Sequence, residues 1–221
     1  MRIGITSPAD AAPRLAEAFA RAGHEPVPVP SVGVSVSGPS VLAAARVDAA
    51  RADLLVITSA RTVGILWPDG GMPDTPVAVV GGATGAAVLA AGGTVVVTGD
   101  GGMEHLAAKL RGRVEGLTVA APGAAGSRAA MLRDFGAEVR HCVVYRAVPC
   151  PPPEDEVDGV AFTSPSAVRG WVTSRCLAGM VVGAIGGTTA RALAAAGVTS
   201  PLMPTRPDYD DLADCFPRSH R

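Results

Sequence analysis

The residues of this chain whose types and spacing could do chemistry are two hydroxyl-rich strand ends and two glycine turns. Val56-Ile57-Thr58-Ser59-Ala60-Arg61-Thr62-Val63 recurs as Ala161-Phe162-Thr163-Ser164-Pro165-Ser166-Ala167-Val168. Each copy reads as an apolar strand that runs into Thr-Ser and then directly into a helix. Hydroxyls at that position cap the helix and leave free backbone amides beside them. Such a helix start attracts carboxylates or phosphates. Capping alone would account for one copy. Matching copies at the carboxyl ends of strands, where α/β sheets bind ligands, favour binding. Thr58, Ser59, Arg61, Ser164 and Ser166 are the candidate contacts from these segments.

The glycine turns add three more. Val80-Gly81-Gly82-Ala83-Thr84 recurs as Ile185-Gly186-Gly187-Thr188-Thr189, each before an Ala-rich stretch, which brings in Thr84, Thr188 and Thr189. The first copy superficially resembles a dinucleotide loop, with Asp100 near the place of a ribose-binding acid. Its spacing fails, because positions 81, 83 and 86 are Gly, Ala and Ala. The second copy has no acid after its following strand, Leu202-Met203-Pro204. A lone glycine turn is weak evidence, so no cofactor is expected.

Other constellations are missing. His24, His105, His141 and His220 have no ligand spacing and read as surface residues. Cys142, Cys150, Cys176 and Cys215 lie far apart without C-x-x-C spacing, so neither zinc nor a disulfide framework is indicated. There is no G-x-S-x-G nucleophile elbow. Tyr145, one of two tyrosines, ends a strand, either as an amphipathic plug at a domain junction or as a phenol facing a cleft.

The elements that must position these residues alternate. Short β-branched runs bounded by Gly or Pro predict strands near 2–6, 26–30, 54–58, 77–81, 94–98, 118–121, 139–146, 159–163, 181–186 and 200–204. Helical stretches lie between most of them: 11–22, 41–51, 83–91, 103–110, 127–135, 166–175, 189–196 and 209–216. In the first, Leu15, Ala18 and Phe19 share one face at i, i+3, i+4 spacing. The strands are apolar throughout, the signature of parallel sheets covered on both faces.

The pattern is also duplicated. Thr58 and Thr163, Gly81 and Gly186, and Thr84 and Thr189 are each 105 residues apart. A third block, Ile3-Gly4-Ile5 with Arg14-Leu15 and Gly23-His24-Glu25-Pro26-Val27, is echoed by Val119-Ala120-Ala121, Arg128 and Gly136-Ala137-Glu138-Val139. Two stretches interrupt the alternation: small, polar 31–39, and Pro-rich, acidic 146–157, which favours extended structure. Both read as crossings between domains. One domain is then 1–30 plus 149–221, and the other is an insertion at 40–145. Two similar halves work at the surface where they face each other, and these Pro-, Gly- and Ser-rich crossings predict lobes that move.

Composition bounds the partners. At 221 residues with 48% hydrophobic residues and a mean hydropathy of +0.31, the chain can build two cores of about 100 residues each. A net charge of −1 argues against nucleic acid, whose phosphates need a basic surface. No apolar run reaches the roughly 20 residues that span a bilayer, and Met1-Arg2-Ile3-Gly4-Ile5-Thr6 begins as a strand without a signal-peptide core. A cytoplasmic protein without a membrane partner is expected.

Taken in order, these blocks resemble the uroporphyrinogen-III synthase family. The likeness runs from Thr58-Ser59 and Val80-Gly81-x-Ala83-Thr84 through Gly126-x-Arg128, Gly136-Ala137-Glu138-Val139 and Val144-Tyr145-Arg146-x-Val148. It continues in Phe162-Thr163-Ser164-Pro165-Ser166-Ala167-Val168, Ala184-Ile185-Gly186-x-Thr188-Thr189 and Pro204-Thr205-x-Pro207. It implies an α/β fold of two similar domains with parallel, flavodoxin-like sheets, joined by a two-stranded linker, with the site between them. It also implies a monomeric, cofactor-independent cyclase that closes the linear tetrapyrrole hydroxymethylbilane with loss of water and inversion of ring D. Tyr145 would then be catalytic, and the hydroxyls above would bind substrate carboxylates with help from Arg61, Arg128, Arg146 and Arg169. The chain departs from the family pattern at Pro122-Gly123-Ala124, Gly82 and Gly187. A paralogue acting on another polyanionic or pyrrolic substrate, or a two-lobed tetrapyrrole-binding protein without activity, are the alternative readings.

Overall fold

The computed structural model describes residues 1–100 and 102–218. Its packing divides the chain into two units, one of residues 1–34 with the segment from Ala147 on, the other Ser35–Arg146. The first unit opens with β1 (Arg2–Ile5), α1 (Ala12–Arg21) and β2 (Glu25–Pro28). Strand β3 (Val32–Val36) leads out of it. The second unit holds α2 (Pro39–Arg51), β4 (Leu54–Ile57), α3 (Ala60–Leu66), β5 (Val77–Val80), α4 (Gly82–Ala90), β6 (Val95–Gly99), α5 (Met103–Leu110), β7 (Thr118–Ala124) and a 3₁₀ segment, Arg128–Phe135. Strand β8 (Glu138–Pro149) returns, followed by β9 (Gly159–Phe162), α6 (Pro165–Trp171), β10 (Val181–Ala184), α7 (Gly187–Ala195) and α8 (Tyr209–Asp214).

The sheet of the first unit has the order β10-β9-β1-β2. All three of its pairings are parallel, with Val160 opposite both Gly4 and Val182. Alternation along β9 shows why its whole sequence is apolar. Val160 and Phe162 pack with Val168, Trp171 and Leu193 of α6 and α7. Ala161, between them, joins Ile3, Ile5, Leu15, Phe19, Leu212 and Phe216 on the other side. A parallel sheet needs this cover on both faces. A methyl group on Gly183 of β10 would overlap the Phe216 ring, so only glycine lets the end of the chain lie this close to the sheet.

The second unit has the order β3-β8-β7-β4-β5-β6, with parallel pairing from β8 through β6. Its inner run β8-β7-β4-β5 repeats the order β2-β1-β9-β10 of the first unit. The bounds of β4 and β9, of α3 and α6, and of α4 and α7 differ by 105 throughout. Duplication of sequence is therefore duplication of a sheet. Central strand β4 is buried at all four residues.

Some elements differ from expectation. The stretch 200–204 contributes a single parallel bridge, Gly183 to Leu202, because Pro201 and Pro204 flank it and lack ladder donors. The 127–135 helix is a 3₁₀ segment closed by Gly136 at φ 81°. The polar 31–39 stretch contains β3, whose Val32, Val34 and Val36 alternate as a strand should.

The histidines are a correction. His105 is exposed, and His220 lies outside the described residues. His141 is half-buried, and His24 is only 6% exposed. The His24 ring stands 5.8 Å from Phe19 and 6.2 Å from Phe216; neither ring nitrogen makes a hydrogen bond of good geometry, and the Ala213 backbone only partly opposes the effect of burial. A residue at the turn after α1 is buried here by a helix near the other end of the chain. Burial, reinforced by the N-terminal amine and Arg218, holds its pKa below the ordinary 6.5. Burial likewise lowers that of His141. The unfolded chain then binds more protons than the folded one below pH 6.5, so stability falls as pH drops from there toward the lowered value. Thermal melts at pH of about 7.5 and about 5.5 should show this loss, and His24→Phe should reduce it. An equal loss in His24→Phe would assign it to other groups.

Candidate active site

Strand β4 ends at Ile57, and Thr58 and Ser59 follow at the sheet's carboxyl edge, both half-buried. Ser59, extended at φ −155°, caps α3 and accepts a hydrogen bond from the Arg61 amide at 3.3 Å. Arg61 lies in the first turn, and its guanidinium stands 5.3 Å from the centre of the Tyr145 ring. Such a cation over an aromatic face is attracted by the ring quadrupole. Tyr145 is 5% exposed and pairs with Ala124 where β8 and β7 shift register.

Gly123 sits between two hydroxyls. A methyl there would lie 3.7 Å from Thr58 Oγ1 and 3.9 Å from Ser127 Oγ. Ser127 caps the 3₁₀ segment through the Ala129 amide. Thr58, Ser59, Arg61 and Ser127 thus follow the ends of β4 and β7, and Tyr145 joins them from within β8, which does not end at the tyrosine but runs on to Pro149. Arg128 pairs with Glu104, and Arg146 is exposed.

The first unit builds its edge the same way. Ser164, at φ −154°, caps α6 and accepts from the Ala167 amide at 3.2 Å. Arg169 donates to Ser166 Oγ at 2.9 Å. Ser7 and Thr163 share a 3.0 Å hydrogen bond, and Thr6 Oγ1 donates to the Ala161 carbonyl at 2.7 Å.

In the glycine turns, Gly81 takes φ 85° before α4, whereas Gly186 is extended before α7. Thr84 and Thr189 each stand third in their helix and are 5% and 1% exposed. Thr188 is exposed.

Sequence reasoning missed Thr6, Ser7 and Ser127. The signal for the first two was present: Ile5-Thr6-Ser7 is a third strand end of the type seen in Ile57-Thr58-Ser59 and Phe162-Thr163-Ser164. Among the described residues, no group of three His, Cys, Asp or Glu could hold a metal ion.

The family model for uroporphyrinogen-III synthase HemD matches residues 13–214. The chain belongs to the uroporphyrinogen-III synthase family. Two solved structures share its fold. A uroporphyrinogen-III synthetase from Helicobacter pylori superposes with a TM-score of 0.65 at 14% identity, over 96% of this chain and 95% of its own. A mutant uroporphyrinogen III synthase from the extremely thermophilic bacterium Thermus thermophilus gives 0.55 at 20% identity, over 92% and 91%. A search of curated proteins returns no match. The α/β class with two parallel-rich sheets is that of these synthases.

Both serine caps can be tested for their structural share. Ser59→Ala and Ser164→Ala should each destabilise the protein by about 1 kcal/mol, and the glycine variants by only a few tenths. Urea unfolding measures this. Equal stability of the alanine variants and the parent would show that the hydroxyls do not hold these turns.

Proposed function

We propose that this chain is a uroporphyrinogen-III synthase that works through the hydroxyl-bearing carboxyl edges of its two sheets, without metal or cofactor. The observation that carries the reading is the family match across residues 13–214. The edges supply hydroxyls, backbone amides and arginines, and no spaced acid–base pair. That inventory suits a reaction in which the substrate provides both electrophile and nucleophile, and the protein dictates conformation.

The hydroxyl of hydroxymethylbilane leaves as water after taking a proton, and an azafulvene cation remains. Ring D attacks this cation through its substituted carbon and forms a spiro intermediate. One bond of the spiro centre then breaks, and reclosure at the neighbouring position inverts the ring. The pyrrole proton released at closure balances the proton taken up at the start. Tyr145 is the proposed donor to the departing hydroxyl, directly or through a water, with Arg61 fixing its ring.

Carboxylates of the substrate are assigned to Thr58, Ser59 and Arg61 on one edge and to Ser164, Ser166 and Thr188 on the other. Thr84 and Thr189 are assigned to the same carboxylates from the equivalent turns, although both side chains are buried before substrate binds. Charge-assisted hydrogen bonds of this kind are about twice as strong as neutral ones. The chain acts as a monomer in the cytoplasm in this reading. All four cysteines are unpaired, and no helix among the described residues is long and apolar enough to cross a membrane.

The purified protein, given hydroxymethylbilane made in situ, should yield the type III product, and EDTA should not change the rate. A type I product alone, or turnover that needs added metal, would overturn the reading. Tyr145→Phe should lower kcat by roughly 10- to 100-fold; an unchanged kcat would make the tyrosine structural. Thr189→Ala should raise KM by about 10- to 150-fold, equivalent to losing roughly 1.5–3 kcal/mol of a hydrogen bond to a charged group. A parental KM would remove Thr189 from the substrate contacts.

A further inference from the structure

Ser31 lies on the segment that leads out of the first unit, is wholly buried, and uses its three hydrogen-bonding groups in three directions. Its amide donates to the Thr6 carbonyl at 3.1 Å, at the end of β1. Its carbonyl accepts from the Cys150 amide at 3.1 Å, on the segment that leads back. Its hydroxyl donates to the Ala167 carbonyl in the first turn of α6 at 2.8 Å.

Ala167 is thereby gripped at both ends. Its carbonyl is held by Ser31, and its amide is held by Ser164 Oγ at 3.2 Å. Thr6 closes the circuit, since its hydroxyl donates to Ala161 in β9, one residue before Phe162 and the Thr163-Ser164 turn. Gly170 makes this approach possible. A methyl there would overlap the Ser31 carbonyl and lie 2.6 Å from the Cys150 carbonyl. No other residue type lets α6 rest on both connecting segments at once.

Burying three polar groups in so close a contact is costly unless each is paired, and here each is. A capping serine alone would hold the start of α6. The additional anchor locks that turn to the two segments along which the chain passes between its units.

We infer that Ser31 is a positioning residue for the Ser164–Ser166 turn, with Gly170 providing the room. The assignment rests on the proposed role of that turn in binding substrate carboxylates. Ser31→Ala removes the hydroxyl and keeps both backbone bonds, while Ser31→Thr keeps the donor. Two measurements are made on each full-length variant: amide hydrogen exchange over residues 163–168, and KM, kcat and the ratio of type III to type I product.

Ser31→Ala should exchange faster over 163–168 and raise KM by about 3- to 10-fold, the effect of one hydrogen bond. Its kcat should change less, and the type III fraction should fall. Ser31→Thr should stay nearer the parent in both measurements. Unchanged exchange over 163–168 in Ser31→Ala overturns the inference, as does faster exchange with parental KM and product ratio, which would make the bond purely structural. A parent that forms no type III product would instead overturn the proposed function, and the exchange measurement then decides the positioning on its own.

Discussion

Parallel pairing is the constraint on which the rest depends. In a parallel sheet every strand ends at the same edge, and each strand is followed by a turn into a helix that must cover one face. Whatever the turns carry is therefore collected along that edge. In the first unit, this brings Thr6-Ser7 at the end of β1 beside Thr163-Ser164 at the end of β9, close enough for Ser7 and Thr163 to share a hydrogen bond. In the second it brings Thr58 and Ser127 around Gly123, with Tyr145 opposite the neighbouring Ala124. No side chain had to be carried to these places by a special loop. The sheet order did it, and duplication of that order did it twice.

Hydroxyls suit such an edge in a chain with a net charge of −1. A serine can cap its helix and still present lone pairs and a rotatable proton to a ligand. A cation would need desolvation or a partner. The arginines at the edges show this: Arg61 lies over Tyr145, Arg128 pairs with Glu104, and Arg169 donates to Ser166. Each is partly engaged before any substrate arrives, so its charge is oriented and does not range over the surface.

Local order was legible in the sequence, and long-range contact was not. The 105-residue offset, the apolar strands and the Leu15-Ala18-Phe19 face of α1 are short-range patterns, and all are present in the fold. The Thr-Ser ends of β4 and β9 were visible for the same reason. The stacking of Arg61 on Tyr145 depends on β8 pairing beside β7, and no periodicity reports that. His24 became buried because a helix from the far end of the chain closes over it, whereas its own neighbours, Gly23 and Glu25, resemble a surface turn. Strand β3 was hidden by composition. Its small polar residues suggested a linker, although Val32, Val34 and Val36 already carried the period of a strand.

The shortage of acid–base groups follows from what the reaction demands. Closing the ring with or without inversion uses the same reactive cation, so the enzyme's task is a choice between two closures. A preference of about a hundredfold for one requires about 2.7 kcal/mol between competing transition states. One or two hydrogen bonds to charged groups, at roughly 1.5–3 kcal/mol each, are of that size. Their worth depends on geometry more than on number, because a bond that tolerates both closures discriminates neither. A rigid hydroxyl at a strand end, in a turn whose Ala167 is held at its carbonyl by Ser31 and at its amide by Ser164, can therefore matter more to such chemistry than a strong acid. In the proposed reading, the hydrogen bonds that hold the turn from behind serve selectivity as much as stability.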